Sequence, residues 1–86
     1  MNEYTITFAR SARKELEVLS AKEAKRVFYK IQALAQEPRP AGCRKLVGED
    51  DLWRIRVGDY RVIYLINDRE HIVDVIQVRH RGDAYR

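Results

Sequence analysis

The amino-acid sequence predicts an α+β fold of order β-α-α-β-β-β, in which a small antiparallel sheet carries a helical hairpin on one face. Three observations predict it. Apolar residues alternate with polar ones at the N-terminus and again across the second half of the chain, as in strands. Between these regions, apolar residues recur three and four positions apart, as in helices. The strand segments of the second half follow one another through short turns, which favours antiparallel neighbours.

The elements of the first half follow from these periods. Residues 4–8 alternate and predict the first strand. Residues 9–19 carry one apolar helical face, and Ser20 followed by Glu23 forms a capping box that begins a second helix. Proline at position 38 ends that helix. Residues 44–46 are expected to begin the sheet, and the pattern does not determine which strand the N-terminal one pairs with.

Residues 52–64 organise the sheet, since they form two alternating strands joined by a two-residue turn at Gly58 and Asp59. Glycine tolerates the positive φ that a tight hairpin requires. Alternate residues then face the helices, and the residues between them face outward. The set expected to face the helices is Trp53, Ile55, Val57, Tyr60, Val62 and Tyr64. The outward set includes Arg54, Arg56 and Arg61. Residues 67–70 predict another turn, residues 71–78 the last strand and residues 79–86 a polar tail.

Length and composition limit the function classes. The 86 residues predict one domain, spanning 1–86. A net charge of +4 favours an anionic partner, with nucleic acid ahead of a membrane. Cys43 is the single cysteine, which excludes an internal disulfide and a Cys/His metal cluster. We find no secretory signal, membrane span or cofactor motif, so we expect a cytoplasmic protein without metal, cofactor or membrane partner.

The outward arginines are the first candidate site, because guanidinium groups match phosphate oxygens and stay charged at any working pH. The polar tail adds Arg79, Arg81 and Arg86, the Tyr85 ring for stacking on a base and the His80 imidazole for proton transfer. The alternative is a solvated basic face. Its acidic neighbours would be Asp50, Asp59 and Asp74. Charge alone does not distinguish these two interpretations.

The helical hairpin, the Lys45-Leu46 pair, the Trp53–Tyr64 block and the tail from His80 to Arg86 together resemble the RelE/ParE superfamily of bacterial and archaeal toxins. The resemblance spans nearly the whole chain and is closer to the RelE branch. It implies a ribosome-dependent mRNA endonuclease that is held inactive by a cognate, RelB-like antitoxin. The implied reaction is attack of an RNA 2′-hydroxyl on the adjacent phosphate, which leaves a 2′,3′-cyclic phosphate and a free 5′-hydroxyl.

The resemblance also implies roles for individual residues. Arg54 and Arg56 match catalytic positions that are often lysine in the family, and Arg61 and Arg81 match arginines that act on the scissile phosphate. Tyr85 matches a tyrosine that stacks on the mRNA base. The expected RNA-binding residues are Lys45, Arg79 and Arg86. A guanidinium hardly releases its proton, so the general base is unassigned and His80 and Lys45 are the candidates.

Two other functions share this pattern. One is a gyrase-poisoning toxin of the ParE branch, which has the same fold and a different target. The other is a catalytically weak relative that only binds its antitoxin.

Overall fold

A computed structural model describes residues 3–46, 48 and 51–80, and these residues form two helices and a five-stranded sheet. The helices are α1 (Arg10–Glu17) and α2 (Ala21–Ala33). The strands are β1 (Thr5–Phe8), β2 (Arg44–Lys45), β3 (Leu52–Val57), β4 (Tyr60–Asn67) and β5 (Ile72–His80). The sheet order is β1-β5-β4-β3-β2. The predicted α+β class is confirmed.

The sheet is mixed rather than wholly antiparallel, because β1 pairs with β5 in parallel while the other pairs are antiparallel. An apolar period identifies a strand but carries no information about its neighbour, so this pairing could not be predicted. β5 also extends two residues beyond the predicted strand. Arg79 and His80 therefore belong to the sheet and not to a tail, as their pairing with β4 shows.

The β3–β4 hairpin has the predicted turn and register. Gly58 has φ +60, and Val57 pairs with Tyr60 on either side of the turn. The residues with the parity of Val57 are buried under the helices or packed against the core. Tyr64 is fully buried, and its hydroxyl donates to the Pro38 carbonyl at 2.8 Å. Burial raises the pKa of Tyr64 well above its ordinary value.

Each helix is tied to the sheet by packing and by a side-chain hydrogen bond. Ser20 caps α2 as predicted, since its hydroxyl accepts from the Glu23 N–H at 3.2 Å. The Glu23 carboxylate accepts from the Tyr60 hydroxyl at 3.0 Å, which joins the start of α2 to the start of β4. Phe28 of α2 is 43% exposed and stacks on Phe8 of β1, with ring centroids 6.1 Å apart.

A polar cluster joins four segments at the far end of the sheet from the hairpin turn. Asp68, in the β4–β5 turn, accepts from the Tyr4 hydroxyl at 2.6 Å. It also pairs with both terminal nitrogens of Arg39, at 2.8 and 3.2 Å. The Arg39 guanidinium lies 4.9 Å from the centre of the Trp53 ring. These bonds lower the pKa of Asp68 to about 2, the Arg39 bonds contributing most.

Gly58→Ala is expected to lower the free energy of unfolding by about 1–2 kcal/mol, because an L side chain is strained at positive φ. A Cβ there would also lie 3.1 Å from the Arg26 guanidinium, although that flexible group can move aside. Gly58→Asn is the matched control, since asparagine tolerates this region of φ and should lose less. Urea denaturation measures both. Equal losses for the two variants would contradict the assignment of the effect to backbone strain.

Asp68→Asn is expected to destabilise the fold at neutral pH and to lose this effect in acid. The Asp68 pKa falls from 3.8 to about 2 on folding, so the folded state holds this proton more weakly than the unfolded state. Its contribution is therefore complete above pH 3.8 and disappears as the pH falls towards 2. Unfolding curves of wild type and variant should converge over that interval. Asp51→Asn, at an exposed position, is the control and should show no such convergence.

Candidate arginine-rich binding face

The outward face of the sheet carries arginines in two cross-strand rows. Arg56, Arg61 and Arg79 lie directly opposite one another across β3, β4 and β5. Arg44 of β2 lies opposite Arg54 of β3. Directly opposed residues of antiparallel strands have Cα atoms about 4.5–5.5 Å apart, so the longer guanidinium groups can reach a common ligand. We call these five residues the arginine face.

Of the acidic residues that could neutralise this face, Asp74 shares its side of the sheet but lies in a different cross-strand row from the five arginines. Asp74 lies opposite Leu65 and accepts from the Thr7 hydroxyl at 2.7 Å. Asp59 lines a small cavity at the hairpin turn on the helix side. Arg56 is exposed and has no carboxylate within 4.0 Å among the described residues. Like charges directly opposed on a sheet are destabilising, so an arrangement of this kind favours an anionic ligand.

Arg79 is the exception, because Glu15 of α1 pairs with it. One Glu15 carboxylate oxygen accepts from the Arg79 Nε at 2.6 Å, and the other accepts from the Val78 backbone N–H at 2.6 Å. β1 covers the edge of β5 only as far as Val75, so this helix side chain satisfies part of the edge that β1 leaves open. Arg79 therefore lies on the arginine face by register while its guanidinium is engaged by a carboxylate.

His80 and Lys45 lie on the other side of the sheet, contrary to the expectation that they accompany the arginines. His80 is opposite Tyr60 and meets its ring edge-on, with centroids 5.4 Å apart. Lys45 is opposite Trp53, which has the parity of the helix-facing set. The physical reason is strand parity: each of these residues is next in sequence to an arginine of the face and so points the opposite way.

Arg44 belongs to the site although the sequence did not identify it. Its position opposite Arg54 depends on the register of a two-residue strand, which is too short to show a period. Glu15 was missed for a similar reason. Its helix periodicity indicates which side of α1 it occupies but not that this side lies against the open edge of β5.

The predicted site residues Arg81, Tyr85 and Arg86 lie outside the described residues, and so does Asp50. Over the described ranges, no group of three or more His, Cys, Asp or Glu side chains is placed to hold a metal ion. Neither helix described here has the length and apolar character to cross a bilayer.

The arginine face can bind and orient phosphate groups and can stabilise negative charge as it develops. Guanidinium groups donate hydrogen bonds in a planar fork and do not accept protons, so the five arginines supply no general base. Among the described residues, the chemistry of this face is therefore electrostatic rather than acid–base.

Comparisons with known proteins agree with this architecture. Residues 6–85 match the family described as ParE toxin of type II toxin-antitoxin system, parDE. The chain is 34% identical to Toxin RelG of Mycobacterium tuberculosis, over 96% of this chain and 97% of the relative. The archaeal RelE–RelB complex from Pyrococcus horikoshii contains a chain of 30% identity that superposes with a TM-score of 0.82, covering 93% of this chain and 97% of that one. The isolated E. coli RelE toxin has a TM-score of 0.80 at 28% identity, covering 95% and 90%.

Arg44→Ala is expected to weaken binding of a short single-stranded RNA and to reduce the slope of log affinity against log salt by about 0.7, the value for one lost phosphate contact. Lys45→Ala is the matched control, since it removes the same charge from the next residue on the opposite side of the sheet. Fluorescence anisotropy at several salt concentrations measures both. Equal effects of the two substitutions would show that RNA affinity depends on net charge and not on the side of the sheet that carries it.

Proposed function

This chain belongs to the RelE branch of the RelE/ParE toxins of type II toxin–antitoxin systems, and from that premise we propose that it is a ribosome-dependent endoribonuclease. In this proposal the toxin cuts mRNA in the decoding A site and so inhibits translation. The cytoplasm, where ribosomes translate, is the proposed location. The observation that carries the proposal is the convergence of Arg44, Arg54, Arg56 and Arg61 on one face of the sheet.

The proposed reaction is an internal transesterification of RNA. The 2′-oxygen forms a bond to phosphorus as the bond to the 5′-oxygen breaks, while a proton leaves the 2′-hydroxyl and another reaches the 5′-oxygen. The products are a 2′,3′-cyclic phosphate and a free 5′-hydroxyl. The protein has to hold the nucleotide in line for attack and to stabilise the charge that develops on the phosphate.

The arginine face suits the second of these tasks directly. Arg61 lies at the centre of its row, between Arg56 and Arg79, and is proposed to contact the scissile phosphate. Arg54 and Arg56 are proposed to bind the same phosphate or the next one. Arg81 and Tyr85 have the roles that the family resemblance implies, a second arginine at the phosphate and a ring that orients the base.

The described residues offer few side chains that could transfer protons in the proposed reaction. His80 and Lys45 lie across the sheet from the arginines, and arginine replaces the usual lysine at positions 54 and 56. Lysine can be tuned towards a neutral pKa by neighbouring cations, whereas arginine stays protonated. We therefore propose that most of the rate enhancement comes from positioning of the mRNA on the ribosome and from charge stabilisation.

The proposed partners are the ribosome, mRNA and an antitoxin of the RelB type. Several of the similar solved structures are complexes of RelE with RelB, among them the complexes from Pyrococcus horikoshii and Escherichia coli. Co-expression with an acidic open reading frame adjacent to the toxin gene is expected to restore growth. Failure of every neighbouring product to bind the toxin would count against the proposal.

Gyrase poisoning is the second candidate. The match of residues 6–85 to the ParE toxin family favours this candidate. The two candidates give different damage in cells that make the protein. A ribonuclease leaves mRNA cuts at fixed positions within codons, whereas a gyrase poison leaves double-strand DNA breaks. A protein that binds its antitoxin and produces neither kind of damage would be the catalytically weak relative.

Arg61→Ala is expected to slow cleavage of ribosome-bound mRNA by about 10²–10³-fold, the usual cost of removing one donor to a developing oxyanion. Arg61→Lys should be intermediate, because it keeps the charge and loses the planar fork. Primer extension on translation complexes locates and quantifies the cuts.

Arg69→Ala is the matched control, since Arg69 is exposed in the β4–β5 turn at the opposite end of the hairpin. It should cleave at the wild-type rate. If Arg61→Ala folds normally and also cleaves at that rate, or arrests growth as strongly as wild type, the assignment of this residue is wrong.

A further inference from the structure

β5 contains a β-bulge, which is one extra residue relative to its neighbour β4. Ile63 of β4 pairs with Gln77 of β5. The next residue of β4, Tyr64, pairs with Val75, so Ile76 is the extra residue between the two pairs. An extra residue of this kind reverses the alternation of side chains in the part of the strand that follows it.

The bulge decides which face of the sheet receives Arg79. Val73 and Val75 precede the bulge, and both are buried in the core. Without the bulge, Arg79 would keep the parity of these valines and point into the core. With it, Val78 is buried instead, and Arg79 lies opposite Arg61 on the arginine face.

Two side chains of α1 hold the bulged segment along the edge of β5. The Ile76 carbonyl accepts from the Ser11 hydroxyl at 2.9 Å, and the Val78 N–H donates to the Glu15 carboxylate at 2.6 Å. Four helical residues rise about 6 Å, and two strand residues span about 6.5 Å, so both contacts can form at once. Beyond the end of β1, the helix thus replaces a neighbouring strand.

The hydrogen bonds at this edge show the same change of phase. The backbone of β1 and its flanking residues bonds to odd-numbered positions, at His71 and Val75. The side chains of α1 bond to even-numbered positions, at Ile76 and Val78. Because the peptide groups of a regular strand alternate in direction, this switch locates the bulge independently of the pairing with β4.

Glu15 also orients the guanidinium group of Arg79. Its second carboxylate oxygen accepts from the Arg79 Nε at 2.6 Å. This contact leaves the terminal nitrogens of Arg79, which can bind a phosphate through two parallel hydrogen bonds. An ion pair on the surface contributes little by itself, but the Val78 N–H fixes this carboxylate as well.

We propose that Ser11 and Glu15 are positioning residues for phosphate binding by the arginine face. Ser11 holds the bulge that brings Arg79 to the outward side of the sheet. Glu15 directs the terminal nitrogens of Arg79 towards a ligand shared with Arg61. Glu15 therefore favours binding of a polyanion although it is itself negatively charged. That the polyanion is RNA rests on the proposed function.

Glu15→Ala distinguishes positioning from net charge, because the two predict opposite changes in affinity. Loss of a negative charge alone should strengthen binding of a short single-stranded RNA. Loss of the Arg79 contact should weaken it and reduce the slope of log affinity against log salt by about 0.7. We expect weaker binding. Glu17→Ala is the matched control, since it removes the same charge from an exposed position of α1 and should not weaken binding.

A double-mutant cycle tests whether Glu15 acts through Arg79. Arg79→Ala should weaken RNA binding at least as much as Glu15→Ala does. The double variant should bind no more weakly than Arg79→Ala, because Glu15 then has no guanidinium to orient. Glu15→Gln should be intermediate between wild type and Glu15→Ala, since its side chain offers one acceptor to two donors.

Ser11→Ala tests the bulge in the absence of RNA, by hydrogen exchange of backbone amides measured with NMR. The Val78 N–H points to the edge of β5, so the amides of Gln77 and Arg79 point towards β4. Loss of the Ser11 hydroxyl should accelerate exchange at these two amides severalfold. Ser11→Thr keeps the hydroxyl and should preserve their protection.

Three results would overturn the proposal. They are RNA binding by Glu15→Ala as tight as that by Glu17→Ala, unchanged binding by Arg79→Ala, and unchanged exchange of the two amides in Ser11→Ala. Glu15→Gln provides the same comparison if Glu15→Ala does not fold.

Arg61→Ala in the same binding assay tests the arginine face itself. Weaker binding by Arg61→Ala, with no loss in Glu15→Ala, would reject the positioning role and leave the proposed function intact. Unchanged binding by Arg61→Ala would count against the proposed function, so the two failures are distinguishable.

Discussion

The two-residue turn between β3 and β4 is the constraint on which the arrangement of the molecule depends. With Gly58 at positive φ, Val57 and Tyr60 become a cross-strand pair, and every later pair of the hairpin follows from that register. Strand side chains alternate faces, so a slip of one residue would bring Arg54 and Arg56 into the core and move apolar residues into solvent. The core and the arginine face are therefore two consequences of one backbone geometry.

The buried side of the sheet makes the charged side possible. β4 lies between β3 and β5, and its residues Val62, Tyr64 and Ile66 are buried beneath the helices. This packing holds the strands at fixed spacing, so guanidinium groups that repel one another remain side by side. The free energy for this arrangement comes from apolar burial on the opposite face, and an anionic ligand would relieve the repulsion.

The separation of the arginines from His80 and Lys45 bears directly on mechanism. In the sequence these residues are adjacent to arginines, which suggested a mixed cluster of phosphate-binding and proton-transfer groups. In the sheet they lie on the other side, because neighbours in a strand point in opposite directions. The described face is thus suited to binding phosphate groups and to charge stabilisation.

The sequence by itself determined the α+β class, the capped start of α2, the hairpin register and the common face of Arg54, Arg56 and Arg61. These features depend on local periods and on turn chemistry, which act over a few residues. Only the tertiary structure decided that β1 pairs with β5 in parallel, that Arg44 lies opposite Arg54 and that Glu15 reaches Arg79. These contacts join residues far apart in the chain or depend on a strand of two residues. Their positions follow from how the elements pack together, and the local sequence periodicity does not indicate that packing.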